Sequence, residues 1–115
     1  MWIFTQDGFL SVVAHRALKD SLMVRARDRQ SLQNLESFAA EKIAFTANAD
    51  YAWRLTITRE DFSKYLAMAV ETIDYDNFKN EMHFARPDFD DALMDVWVTM
   101  HKVEDERAVK RYDAL

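Results

Sequence analysis

The sequence predicts an α+β domain: an antiparallel sheet of about five strands with helices packed on one face. Three observations carry this prediction. Side chains alternate in character over short runs in the first half of the chain, as half-buried strands require. Apolar residues recur at helical spacing through most of the second half. The only glycine of the chain lies between two apolar runs, where a hairpin would turn. Strands gathered early and helices late argue for α+β and against a doubly wound parallel sheet.

Trp2–Thr5 and Phe9–His15 flank Gln6-Asp7-Gly8 and read as paired strands, because Gly accepts positive φ without a Cβ clash. Arg16–Asp20 is a polar connection. In Leu22–Arg27, Leu22, Val24 and Ala26 point one way and Met23, Arg25 and Arg27 the other, which gives a third strand. Asp28 is placed as the N-cap of a helix over Asp28–Ala40, whose apolar face is Leu32, Leu35, Phe38 and Ala39. Ile43–Thr46 is a short strand, and Ala47–Asp50 a turn built on Asn48 and Asp50. Tyr51–Thr58 alternates throughout, with Tyr51, Trp53, Leu55 and Ile57 on one face and Ala52, Arg54, Thr56 and Thr58 on the other.

Thr58-Arg59-Glu60-Asp61 resembles a capping box and opens an amphipathic helix carrying Phe62, Tyr65, Leu66, Ala69, Val70 and Ile73. A break follows around Tyr75, then a short helix over Asn77–Phe84. Pro87 suits a restart, and Phe89, Leu93, Val96, Trp97, Met100 and Val103 mark a last helix to about Glu106, which the tail Arg107–Leu115 frays from or extends. The order is β-β-β-α-β-β-α-α-α. From Leu22 to Ile73 it reads β-α-β-β-α, most of a ferredoxin-like split unit whose closing strand is missing. The N-terminal hairpin is the candidate to fill that place.

The chain of 115 residues fits one domain, 1–115, and half of it is apolar, with eight Phe and three Trp, so material for a core is plentiful. Absence of cysteine excludes disulfides, thiol nucleophiles and Cys-held metals. Met1–Leu10 has no basic start, and no apolar run approaches a membrane span, so a cytoplasmic protein with no membrane partner is expected. The net charge of −5 does not steer a protein toward nucleic acid. The charge is uneven, however: residues 1–59 are slightly basic and the acid lies beyond them.

Met1-Trp2-Ile3-Phe4, Gly8-Phe9-Leu10-Ser11-Val12-Val13, Val24-Arg25-Ala26-Arg27, Tyr51-Ala52-Trp53-Arg54 and Ile73-Asp74-Tyr75-Asp76-Asn77-Phe78-Lys79 together resemble a family of small bacterial proteins with no established activity. The resemblance covers about the first eighty residues, supplies no catalytic residue, and implies only that the arginine strand and the Asp74–Lys79 segment belong to a recurring design.

Four constellations bear on chemistry. Arg25 and Arg27 lie two apart on one strand and Arg54 on the polar side of another. If those strands are neighbours, three guanidiniums share a surface, with Arg16 and Arg29 at its margin. Arginine holds phosphate or carboxylate through a planar fork of donors, so this face is a candidate docking site; the plainer reading is a solvated sheet face neutralised by acids. Asp74-Tyr75-Asp76-Asn77 fails as a calcium loop, since Lys79 and Ala85 stand where Gly and Glu are needed; Asp74 ending one helix and Asp76 capping the next explains it better. His15, His83 and His101 form no metal spacing. Asp88, Asp90, Asp91 and Asp95 crowd the start of the last helix and complement its dipole, while Trp97 and Met100 are either core or a partner-binding ridge.

No nucleophile elbow is present, and one glycine cannot supply a phosphate loop. No cofactor is expected. The favoured expectation is a small non-enzymatic interaction module with a protein partner, open to homo-oligomerisation, through the arginine face or the acidic helix. The alternative is a nucleic-acid or phosphate binder using the arginines. An enzyme whose groups converge only in space is a third reading.

Overall fold

The computed structural model describes the backbone of residues 1–113 and the side chains of residues 1–107. The chain divides into two compact units, Met1–Tyr75 and Asp76–Leu115.

The first unit is a five-stranded sheet with two helices. Its strands are β1 (Trp2–Thr5), β2 (Gly8–Ala14), β3 (Ser21–Ala26), β4 (Ala44–Phe45) and β5 (Trp53–Thr58). The order across the sheet is β1-β2-β3-β5-β4, and every neighbouring pair is antiparallel. Helix α1 (Gln30–Glu36) connects β3 to β4, and α2 (Arg59–Glu71) follows β5. Strand β5 therefore lies between β3 and β4, which makes β3-α1-β4 a split unit. The fourth-strand position beside β3 is taken by β2, so the N-terminal hairpin closes the sheet as the sequence suggests.

Local chemistry accounts for each junction. The hairpin pairs Thr5 with Gly8, and Gly8 alone takes positive φ there, at 138°. In the β4–β5 connection Asn48 supplies the left-handed residue at φ 62°. Asp28 caps α1 by accepting the Ser31 N–H at 2.8 Å. Thr58 caps α2 by accepting the Asp61 N–H at 3.1 Å, as the capping box predicts.

Leu10, Val12, Leu22, Val24, Ala26, Leu55 and Ile57 form the inner face of the sheet, and Leu32, Leu35, Phe62 and Tyr65 of the helices pack on it. Fully burying each large side chain contributes about 1.5–3 kcal/mol. The alternation predicted for β3 holds residue by residue: Leu22, Val24 and Ala26 are buried, and Met23 and Arg25 are only partly so.

Several boundaries differ from expectation. α1 stops at Glu36, because Phe38 and Ala39 turn back to pack on the core from outside the helix. Ile43–Thr46 shrinks to a two-residue edge strand. β5 begins at Trp53, so Tyr51 escapes the alternation and leaves the Trp53–Leu55–Ile57 face. Val70 is exposed at 65%, and Ile73, exposed at 52%, lies past the end of α2 at Glu71, so the expected apolar stripe outruns both the helix and its buried face.

The second unit holds α3 (Phe78–Ala85), a 3-10 turn at Pro87–Phe89 and α4 (Asp90–Asp113). Asn77 caps α3 through its side chain, accepting the Asn80 N–H at 3.0 Å, where Asp76 was expected. Pro87 opens the 3-10 turn, whose first position needs no N–H. α4 runs past Glu106 to Asp113. Of its expected apolar stripe, Leu93 is buried, while Val96, Trp97 and Met100 are exposed.

Candidate anion-docking face

Directly opposed residues of an antiparallel pair lie on the same face. Ser11 pairs with Arg25, and Arg25 pairs with Arg54, so one row across β2, β3 and β5 carries a hydroxyl and two guanidiniums. Trp2 pairs with Ser11 and extends the row to the edge strand. This is the face opposite the one that α1 and α2 cover.

Tyr51 organises the cluster. The Arg25 and Arg27 guanidinium carbons stand 4.8 and 4.5 Å from its ring centroid. The negative ring face attracts both cations. Arg54 Nε donates to the Tyr51 carbonyl at 3.1 Å, which ties β5's arginine to the same residue. Arg25 Nη2 donates to Ser11 Oγ at 2.9 Å, while its Nε is buried without a hydrogen-bond partner.

Charge balance within the cluster is incomplete. Arg27 pairs with Asp50 at 3.2 Å, but this pair is solvent-exposed and contributes little. Among the described residues neither Arg25 nor Arg54 has an ion pair. Two arginines opposed across neighbouring strands repel each other, and partial burial raises that cost.

The structure brings Arg25, Arg27 and Arg54 together and leaves Arg16 and Arg29 apart from them. Arg16 lies in the exposed connection between β2 and β3, at the end of β3 away from Arg25. Arg29 precedes α1 and faces Glu36 at 3.8 Å. Sequence reasoning missed Ser11 and Tyr51 as members of the cluster. Ser11 was legible, since it sits between Leu10 and Val12 and must point away from them. Tyr51 was not, because its place in the sequence continues the alternating run of Trp53, Leu55 and Ile57.

The acidic helix start disperses into separate pairs. Asp88 lies in the 3-10 turn and takes a two-pronged contact from Arg86, Nε to Oδ1 at 3.1 Å and Nη2 to Oδ2 at 2.8 Å. That guanidinium, itself buried, holds the Asp88 carboxyl below its usual range. Asp90 meets His83 Nδ1 at 2.7 Å. Asp91 and Asp95 are exposed without an ion pair among the described residues. Trp97 packs edge-on against His101 and lies under Lys79, whose Nζ is 4.6 Å from the ring.

A second polar cluster, not anticipated from sequence, ties the hairpin to α2. Tyr65 donates to Asp7 Oδ2 at 2.7 Å, and Asn34 Nδ2 donates to Asp7 Oδ1 at 2.6 Å. Burial pushes the Tyr65 hydroxyl far above its ordinary value; the Thr5 hydrogen bond acts against this and the Asp7 carboxylate adds to it. Among the described residues no three His, Asp or Glu side chains are placed to share a metal ion. No helix is long and apolar enough to cross a membrane among those residues.

No family model, curated protein sequence or solved structure matches this chain.

Proposed function

We propose that the chain is a non-enzymatic interaction module that docks an acidic segment of a protein partner on its arginine face. The observation that carries this reading is the Arg25–Arg54 pair, two guanidiniums facing each other across strands with no carboxylate paired to either among the described residues. An arriving carboxylate would relieve their repulsion and meet donors preset in fork geometry. The exposed apolar side chains of α3 and α4, such as Phe84 and Met100, add surface of the kind that interaction proteins display, to a partner or to a second copy. A cytoplasmic setting suits a chain without cysteine.

A second reading has its own support. Trp2, Phe4 and Phe9 share the arginine face, with Trp2 76% exposed and Phe4 and Phe9 ring centroids 4.8 Å apart. Aromatic platforms beside cations are how single-stranded nucleic acid is held. The overall charge of −5 weighs against it.

Fluorescence anisotropy at low salt with a labelled oligoglutamate peptide and a labelled oligothymidylate separates the two readings. The peptide should bind, and joint Arg25→Ala and Arg54→Ala substitution should weaken it at least about tenfold, a loss of about 1.4 kcal/mol. The melting temperature should stay nearly unchanged. Absence of peptide binding, or binding that ignores both substitutions, would overturn the proposal. Tighter binding of the oligonucleotide, lost on Trp2→Ala, would replace it with the second reading.

A further inference from the structure

Arg25 and Arg54 form the close kind of cross-strand pair. The Arg59 N–H donates to the Asp20 carbonyl at 3.0 Å, one step along the ladder from the Ser21–Thr58 pair. Hydrogen-bonded pairs alternate along antiparallel strands, so Arg25 and Arg54 fall on a non-hydrogen-bonded pair. There the Cα atoms stand about 4.5 Å apart and the side chains approach most closely.

Both guanidiniums are also held in place from within the protein. Ser11, only 1% exposed, accepts from Arg25 Nη2 at 2.9 Å, and the Tyr51 ring lies against the same guanidinium. Arg54 Nε is committed to the Tyr51 carbonyl at 3.1 Å. Among the described residues, Arg25 Nη1 and both Nη groups of Arg54 have no acceptor. Arg27, by contrast, already meets Asp50. The result is two fixed forks, side by side, with their charge unmatched.

Charge and oxygen number decide which anion suits them. A carboxylate brings a single negative charge and two oxygens, so one fork satisfies it and the other guanidinium stays unmatched. A phosphodiester is also singly charged and does no better. A phosphomonoester carries a charge of about −1.5 to −2 at pH 7 and three acceptor oxygens, enough to span both forks. Resting on the reading of this face as a dock for an acidic protein segment, we propose that the segment is anchored by a phosphorylated side chain. Its phosphoryl group bridges Arg25 and Arg54, and phosphorylation of the partner turns docking on. The net charge of −5 favours a short peptide with one phosphomonoester over a nucleic-acid strand, whose repeated charges it repels.

Fluorescence anisotropy with the full chain tests this, using labelled peptides of one alternating Gly-Glu sequence that differ only in a central phosphoserine, glutamate or serine. The phosphoserine peptide should bind at least about tenfold more tightly than the glutamate peptide, and the serine peptide more weakly still. Arg54→Ala should remove that preference, because it leaves one fork, which a carboxylate fills as well. Arg54→Lys, which keeps the charge and the stem but not the fork, should narrow it. Arg29→Ala, outside the cluster, should leave it intact. Equal affinity for the phosphoserine and glutamate peptides would overturn the phosphoryl assignment and leave the acidic-segment reading standing, whereas failure of every peptide to bind would overturn both. A preference that survives Arg54→Ala, or tighter binding of a 5′-phosphorylated oligothymidylate than of the phosphopeptide, would also overturn the proposal.

Discussion

Tyr51 and Tyr65 show how one residue type does two jobs according to what surrounds it. Tyr51 lends its ring to two arginines, and the hydroxyl of Tyr65 closes a part-buried chain from Thr5 to Asp7. Removing that hydroxyl leaves Thr5 and Asp7 short of a partner. Tyr65→Phe should therefore cost about 1–3 kcal/mol, read as a lower urea midpoint at unchanged slope. The same group sets an alkaline limit. Its folded-state ionisation is raised above the unfolded value near 10, so the folded chain holds more protons than the unfolded one at high pH. The contribution of this group is full below pH 10 and is lost as pH climbs above it. Tyr65→Phe should flatten that decline in melting temperature measured from pH 8 to 11.

At the scale of elements, caps and pairing set boundaries more firmly than periodicity does. Thr58 ends β5 and starts α2 in one residue, and Thr58→Ala should lower stability by about 1 kcal/mol in urea melts, with Thr58→Ser close to the parent. The helix cap at Thr58 and the glycine turn were legible because both depend on atoms within a few residues. The end of α1 was not. Phe38 and Ala39 keep helical spacing in sequence, yet they leave the helix because packing on Tyr65 and its neighbours outweighs one more turn. The start of β5 failed for the same kind of reason: Tyr51 continues an alternating run, but contact with Arg25 and Arg27 turns it to the other face.

For the whole molecule, charge and apolar exposure act together. The chain carries −5 overall and exposes Phe84, Met94, Trp97 and Met100 in its second unit. Repulsion between like-charged molecules opposes contact between such surfaces, and it vanishes at the isoelectric point. Light scattering should therefore show concentration-dependent self-association near pH 5.1 that declines toward pH 8. Phe84→Ser should reduce it. A scattering profile indifferent to pH would show that these side chains do not drive association.

The sequence by itself determined the fold class, the order of elements and the facing of Arg25, because strand alternation, a glycine turn and a capping threonine are local facts of covalent geometry. Only the tertiary structure decided that β5 lies against β3, which puts Arg54 opposite Arg25, that Tyr51 joins them, and that Asp7 accepts hydrogen bonds from α1 and α2. Those contacts join residues far apart along the chain. Their partners are chosen by how the sheet is ordered and what its faces can bury, and no spacing along the sequence encodes that choice.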